Sequence, residues 1–229
     1  MNRIAIIPAR GGSKRIPGKN TKDFLGKPII AYSIQAALKS NLFDEVMVST
    51  DDTEIADIAR QYGASVPFIR NKKTSGDYAT TSEVLKEVIE KYAENNRHFD
   101  DGCCLYPTAP LVTPVKLVEA YDLLKKQNLD AVFPIVRYNY PILRSLKYAN
   151  GKVQMNWPEY LNSRSQDLAP AFYDSGQFYW FNINQFIETN EIITNNCGGI
   201  EISEIEAQDI DNDIDWQLAE MKYNLVNSN

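Results

Sequence analysis

The chain has 229 residues, of which 44% are apolar, and a formal net charge of −6, so it can bury the core of one large domain. A pI near 5.0 speaks against a nucleic-acid-binding surface, and no apolar run approaches the roughly 20 residues of a membrane span. Pro8 interrupts the short apolar start, which does not read as a signal peptide, and Cys103, Cys104 and Cys197 form no Cys-x-x-Cys pair, so the expectation is a cytoplasmic protein with reduced, buried thiols.

Ile4, Ile6 and Ile7 mark a buried first strand. The stretch from Pro8 to Asn20 is too polar and too rich in Gly and Pro to pack as an element. It carries Arg10, Lys14, Arg15 and Lys19, with Lys22 just beyond. Such a loop at the carboxyl end of a strand suits a polyphosphate: Gly11 and its neighbours let the backbone approach, and amides with Lys and Arg offset the charge. It is not a P-loop, because Gly18-Lys19 is followed by Asn20 and Ser13 stands five residues before Gly18. Nor is it the dinucleotide fingerprint, since the residue two after Gly11 is again Ser13.

Ile30, Ile34, Ala37 and Leu38 then share a helical face, and Glu45 to Thr50 reads as a strand. Ile55, Ile58, Ala59 and Tyr62 mark a second helix that Asp51 or Asp52 can cap, and Ser65 to Phe68 a short strand. Val84, Leu85, Val88, Ile89 and Tyr92 mark a third helix, with Thr80 and Glu83 as a capping box. Gly102 to Tyr106 is a strand, Leu117, Val118, Tyr121 and Leu124 a helix, and Ala131 to Val136 a strand. This alternation predicts an α/β fold, a mostly parallel twisted sheet flanked by helices. Beyond Arg137, Asn150-Gly151 joins two short strands into a hairpin, and residues 138–175 read as an insertion, a lid or a dimerisation arm, within a single domain of residues 1–229. Phe178 to Phe181 resumes as a strand, with Phe178 and Trp180 inward by alternation; Ile183, Phe186 and Ile187 suggest a helix, and a last one runs from near Asp213 to about Val226.

Residues 209–215 read DIDNDID. In an extended segment Asp209 and Asp211 point the same way and can reach one hard cation; Mg²⁺ typically takes one or two carboxylates plus phosphate oxygens. Other readings compete. Asp211 or Asp213 can cap the last helix. Asp209, Asp211, Asp213 and Glu220 mimic a calcium loop, but Ile214 stands where its glycine is required. The pair also suits a metal-dependent glycosyltransferase, or a sugar-nucleotide-binding protein without catalysis.

Together, the N-terminal loop, VSTDD at Val48 to Asp52, YPTAPL at Tyr106 to Leu111, RSQDL at Arg164 to Leu168 and GQFYW at Gly176 to Trp180 resemble the CMP-sialic acid synthetase family, over essentially the whole chain. The resemblance implies a Rossmann-like nucleotide-diphospho-sugar transferase fold, usually a homodimer. It implies Mg²⁺-dependent transfer of CMP from CTP to the anomeric hydroxyl of a nine-carbon keto-sugar acid, with release of pyrophosphate. The GQFYW segment and the aromatic-rich middle favour the branch acting on pseudaminic acid; N-acetylneuraminic and legionaminic acid are the rival substrates. By motif position, Arg10, Gly11, Ser13, Asn20, Arg70, Asp77, Thr81 and Thr108 would contact the nucleotide, with Lys14 and Lys19 at the phosphates. Tyr106 stands where sialic acid synthetases commonly carry Gln, which supports a different sugar. Arg144, Arg164, Gln166, Ser175 and Tyr179 would join it there, arginine being a fork-shaped partner for the sugar's carboxylate. In this reading Asp209 and Asp211 hold the Mg²⁺, and Lys14, Lys19 and Asp211 are catalytic. His98, in a polar stretch, reads as a surface residue.

Overall fold

The computed structural model describes residues 1–227. Strand β1 (Arg3–Pro8) opens into the cationic loop, a two-strand turn of β2 (Asp23–Phe24) and β3 (Lys27–Pro28), and helix α1 (Ile29–Ser40). Next come β4 (Glu45–Ser49), α2 (Thr53–Gln61), the single turn α3 (Lys72–Ser75), α4 (Thr81–Glu94), β5 (Asp101–Leu105), α5 (Pro114–Lys126) and β6 (Ala131–Arg137). The hairpin β7 (Leu146–Ala149) and β8 (Lys152–Met155) follows, then β9 (Phe172–Asp174), β10 (Phe178–Asn182), α6 (Ile183–Thr189), β11 (Cys197–Ile202) and α7 (Asp213–Asn227).

The main sheet runs β11-β6-β10-β5-β1-β4, with β9 also paired to β6. β1 lies parallel to β4 and β5, and β11 parallel to β6. β10 is antiparallel to both β5 and β6, and β9 antiparallel to β6, so the parallel sheet is interrupted at its centre. Hydrophobic periodicity carries no information on strand direction, which is set by how the chain returns from the intervening segment. The strand expected over Ser65 to Phe68 is reduced to a bridge between Met47 and Ser65. Pro67 has no backbone N–H with which to continue a ladder.

The central strands β1, β5 and β10 are buried on both faces. Along β1, Ala5 and Ile7 join the cluster that includes Ile30, Ile55 and Leu117, while Ile4 and Ile6 join Leu85, Val88 and Phe186 on the other face. β10 alternates likewise, sending Phe178 and Trp180 to the first cluster and Tyr179 and Phe181 to the second. A third, separate cluster packs Ile16 of the cationic loop with Phe24, Ile29, Tyr32, Ile210, Trp216 and Ala219. It fastens the loop, which leaves the first strand, to the start of the last helix. No described helix is long and apolar enough to cross a membrane.

Candidate active site

The cationic loop leaves β1 and turns back at Gly18, whose φ of +61° lies in the left-handed region glycine tolerates best. Thr21 and Lys22 amides both donate to the Gly18 carbonyl, closing the turn. Gly11 meets a different demand. Its amide donates to Asp51 Oδ1 at 3.0 Å, and a Cβ there would lie 2.6 Å from Asp52 Oδ2. Asp52 caps α2 by accepting from the amides of Glu54 and Ile55. VSTDD thus anchors the loop and caps a helix. Asn20, buried, locks the loop from inside by donating Nδ2 to the Arg10 carbonyl at 2.9 Å.

The aspartate segment is positioned by the cap of α7. That cap is Asn212, not Asp211 or Asp213: its Oδ1 accepts from the amides of Ile214 and Asp215. The Asp215 carboxylate accepts in return from the amides of Asp211 and Asn212, which satisfies the helix start with a reciprocal pair. Asp211 keeps its carboxylate free of the cap. Ile210 points into the third cluster, so Asp209 and Asp211, on either side of it, both line the cleft.

That cleft, of about 320 Å³, is lined together by Arg10, Ser13, Lys14, Arg15, Lys19 and Asn20 from the loop, by Tyr106, Pro107 and Thr108 after β5, and by Asp209 and Asp211. A second cleft of about 400 Å³ adjoins it and is lined by Arg70, Thr74, Asp77, Thr81 and Val84. Pro8, Arg10, Arg15 and Tyr106 line both.

Each cation of the loop already has an anionic or dipolar partner. Arg10 Nη1 lies 2.9 Å from Asp77 Oδ1, and Lys14 pairs with the other Asp77 oxygen. The hydrogen bond from Lys14, with the charges of Lys14 and Arg10, holds the Asp77 carboxyl below the usual range. Arg15 Nη1 lies 2.5 Å from Asp211 Oδ2. Lys19 Nζ donates to the Ile210 carbonyl at 2.7 Å, and burial pulls its pKa down. Lys19 therefore clamps the aspartate segment, and the two further protons of its ammonium remain for a ligand. Among the described residues no group of three or more His, Cys, Asp or Glu side chains could hold a metal ion. The two aspartates fit instead a hard cation that takes the rest of its oxygens from a phosphate and from water.

In the second cleft Arg70, 7% exposed, donates Nε to Ser49 Oγ at 3.0 Å and Nη2 to the Ser49 carbonyl. Burial pulls its pKa down as well. The Tyr106 hydroxyl shares a 3.1 Å hydrogen bond with Thr81 Oγ1 beside the Thr80–Glu83 capping box, and burial raises its pKa.

The residues expected at the sugar divide. Tyr106 lines both clefts. Tyr179 is 8% exposed, packs its ring edge-on to Tyr106 and donates its hydroxyl to Asp174 at 2.6 Å, so it supports the cleft from the core. Ser175 is buried, with its hydroxyl oxygen unpartnered. Arg144, Arg164 and Gln166 are exposed on the 138–175 segment and line neither cleft; Arg164 is engaged by Asp167 at 2.8 Å. His98 is exposed outside the site. Cys103 and Cys104 are buried free thiols whose pKa values burial pushes up, that of Cys104 to about 12. Sequence reasoning assigned no individual role to Arg15 and missed the cap at Asn212. The signal for Asn212 was present: Asn followed three residues later by Asp, at the start of a helix.

The sequence model of a family described as cytidylyltransferase matches residues 4–193. A pseudaminic acid cytidylyltransferase of Campylobacter jejuni subsp. jejuni serotype O:2 is 41% identical over 224 residues, covering 97% of each chain. A CMP-N,N'-diacetyllegionaminic acid synthase of Legionella pneumophila is 37% identical, over 96% of this chain and 95% of its own. In fold, a CMP:2-keto-3-deoxy-manno-octonic acid synthetase solved with CTP superimposes over the full length of both chains with a TM-score of 0.73 at 19% identity. The chain belongs to the cytidylyltransferase family.

Proposed function

We propose that the protein transfers CMP from CTP to the anomeric hydroxyl of pseudaminic acid, releasing pyrophosphate. The observation that carries this reading is one cleft lined by the cationic loop from the amino-terminal end and by Asp209 and Asp211 from the carboxyl-terminal end. The reading takes its sugar from the identity to the Campylobacter relative.

In this reading the triphosphate lies along Ser13, Lys14, Arg15 and Lys19, and the cytidine in the adjoining cleft of Arg70, Asp77 and Thr81. Arg70 can only donate, which suits the O2 and N3 acceptors of cytosine. Asp209 and Asp211 would hold Mg²⁺, which supplies charge neutralisation at the phosphates when bound. The sugar oxygen attacks the α-phosphorus in line with the departing pyrophosphate. The chain's own part is to position the reactants and to offset the developing charge, with Lys14 and Lys19 near the leaving group.

The protein acts as a homodimer in this reading, in the cytoplasm. Support comes from the β7–β8 hairpin, where Leu146, Tyr148, Val153 and Met155 share one face, and Lys147, Lys152 and Gln154 the other. Leu146, Tyr148 and Val153 are 56%, 77% and 60% exposed. A lone two-stranded hairpin is marginal in water, so an apolar face of this kind needs cover. A second copy would cover it, and its arm would bring Arg144, Arg164 and Gln166 toward a cleft they do not reach in their own chain.

The test is a substrate panel: the purified protein with Mg²⁺, CTP or another nucleoside triphosphate, and pseudaminic, N-acetylneuraminic or legionaminic acid, read by pyrophosphate release. CTP with pseudaminic acid should turn over fastest. Preference for another sugar would reassign the substrate, and CTP binding without pyrophosphate would leave a non-catalytic module.

A further inference from the structure

We infer that Arg15 gates the aspartate pair: without ligand its guanidinium holds Asp211, and the incoming triphosphate draws it away. This rests on the reading of Asp209 and Asp211 as the metal pair. Arg15 Nη1 lies 2.5 Å from Asp211 Oδ2. A divalent cation at Asp211 and the guanidinium would compete for the charge of one carboxylate, so cation binding is favoured when Arg15 leaves.

The geometry provides a destination. Arg15 lines the cleft that takes the triphosphate in this reading, beside Ser13, Lys14 and Lys19, so a change of side-chain rotamer can turn its head from Asp211 to a phosphate. Its side chain is 69% exposed, and nothing packed must open. The other loop cations are engaged elsewhere than on the Asp209 and Asp211 carboxylates. Arg10 and Lys14 share Asp77, and Lys19 holds the Ile210 carbonyl from a half-buried position. A guanidinium released from a carboxylate fits a phosphate equally well, since both accept its paired N–H groups. Cation and triphosphate binding are then coupled through one side chain, and by linkage each strengthens the other. The free enzyme holds the cation weakly until nucleotide arrives.

The test is Mn²⁺ binding to nucleotide-free protein, followed by electron paramagnetic resonance, for the wild type, Arg15→Met, Arg15→Lys and Asp211→Asn. Arg15→Met keeps the apolar stem and removes the charge. It should bind Mn²⁺ about threefold tighter, the size an exposed ion pair permits, while Arg15→Lys stays near the wild type. In EDTA, Arg15→Met should bind CTP more weakly. A gain in metal affinity is not what structural damage produces, and thermal melting checks the fold. Unchanged or weaker Mn²⁺ binding in Arg15→Met, with Asp211→Asn still impaired, overturns the gate alone. Unchanged Mn²⁺ binding in Asp211→Asn overturns the metal reading beneath it.

Discussion

The cleft and the 138–175 arm both carry arginines and lysines, yet the structure uses them differently. In the cleft, Arg10, Arg15 and Lys19 each answer a partner far away in sequence, at Asp77, Asp211 and Ile210, and the backbone beneath them is tied to β1, α2 and α7. In the arm the arginine pair is local, Arg164 with Asp167, and the apolar residues of the hairpin face solvent. A region whose partners are internal is complete in one chain. The hairpin's apolar face, with Leu146, Tyr148 and Val153 exposed, is where the proposed second copy would sit.

The sharpest way to break this contrast is Asp211→Ala. In the cleft reading it removes half of the carboxylate pair, and kcat/KM with CTP and Mg²⁺ should fall about 10²-fold or more with the fold intact. Near-normal turnover would remove the metal role. The arm makes the second-largest prediction. Tyr148→Asp with Val153→Asp sets charges opposite each other in the β7–β8 ladder, on the apolar face. Sedimentation at micromolar concentration should then show monomers where the proposed function expects dimers of the wild type. A variant that still dimerises would deny the hairpin its role.

Gly11→Ala comes next. The added methyl meets Asp52, which caps α2 and cannot retreat without opening that helix. The loop must shift instead, and the KM for CTP should rise about tenfold while the melting temperature changes little. An unchanged KM would mean that the close approach of loop and VSTDD segment does not shape the nucleotide site.

How much was legible divides along the same line. The first strand and its loop, the Thr80–Glu83 box and the Asp209–Asp211 pair were readable because each rests on local periodicity or spacing. The antiparallel course of β10 was not, because alternation of Phe178 and Trp180 is the same whichever way a strand runs. β11 escaped notice because Gly198 and Gly199 dilute its pattern. The third cluster was hidden because Ile16 and Ile210 are single apolar residues in polar segments 194 residues apart; only the folded chain brings them together. The family resemblance supplied residue roles that periodicity could not. For Arg144, Arg164 and Gln166 it named a pocket that their own chain does not bring them to.

The finest comparison sets the Glu87–Lys91 pair against Arg164–Asp167. Glu87 is 8% exposed on α4 and accepts from Lys91, the Thr74 hydroxyl and the Asn71 amide, so it holds the segment that leads from Arg70 to Asp77. Burial pushes its carboxyl up, but these three partners more than offset that and leave it below the ordinary glutamate value. With the folded pKa depressed, the unfolded chain binds the proton first as pH falls. The stability Glu87 contributes is thus present above the ordinary value of about 4.3 and lost as pH drops through the folded one. Glu87→Gln should cost about 1–2 kcal/mol at pH 7 and flatten the loss of melting temperature between about pH 5 and 3. Because the segment it holds lines the second cleft, the KM for CTP should rise as well. Arg164→Ala, breaking an exposed pair three residues apart, should change stability by less than about 0.5 kcal/mol. If the two substitutions cost the same, the distinction between a region tied internally and one left to its neighbours fails at the scale of single side chains.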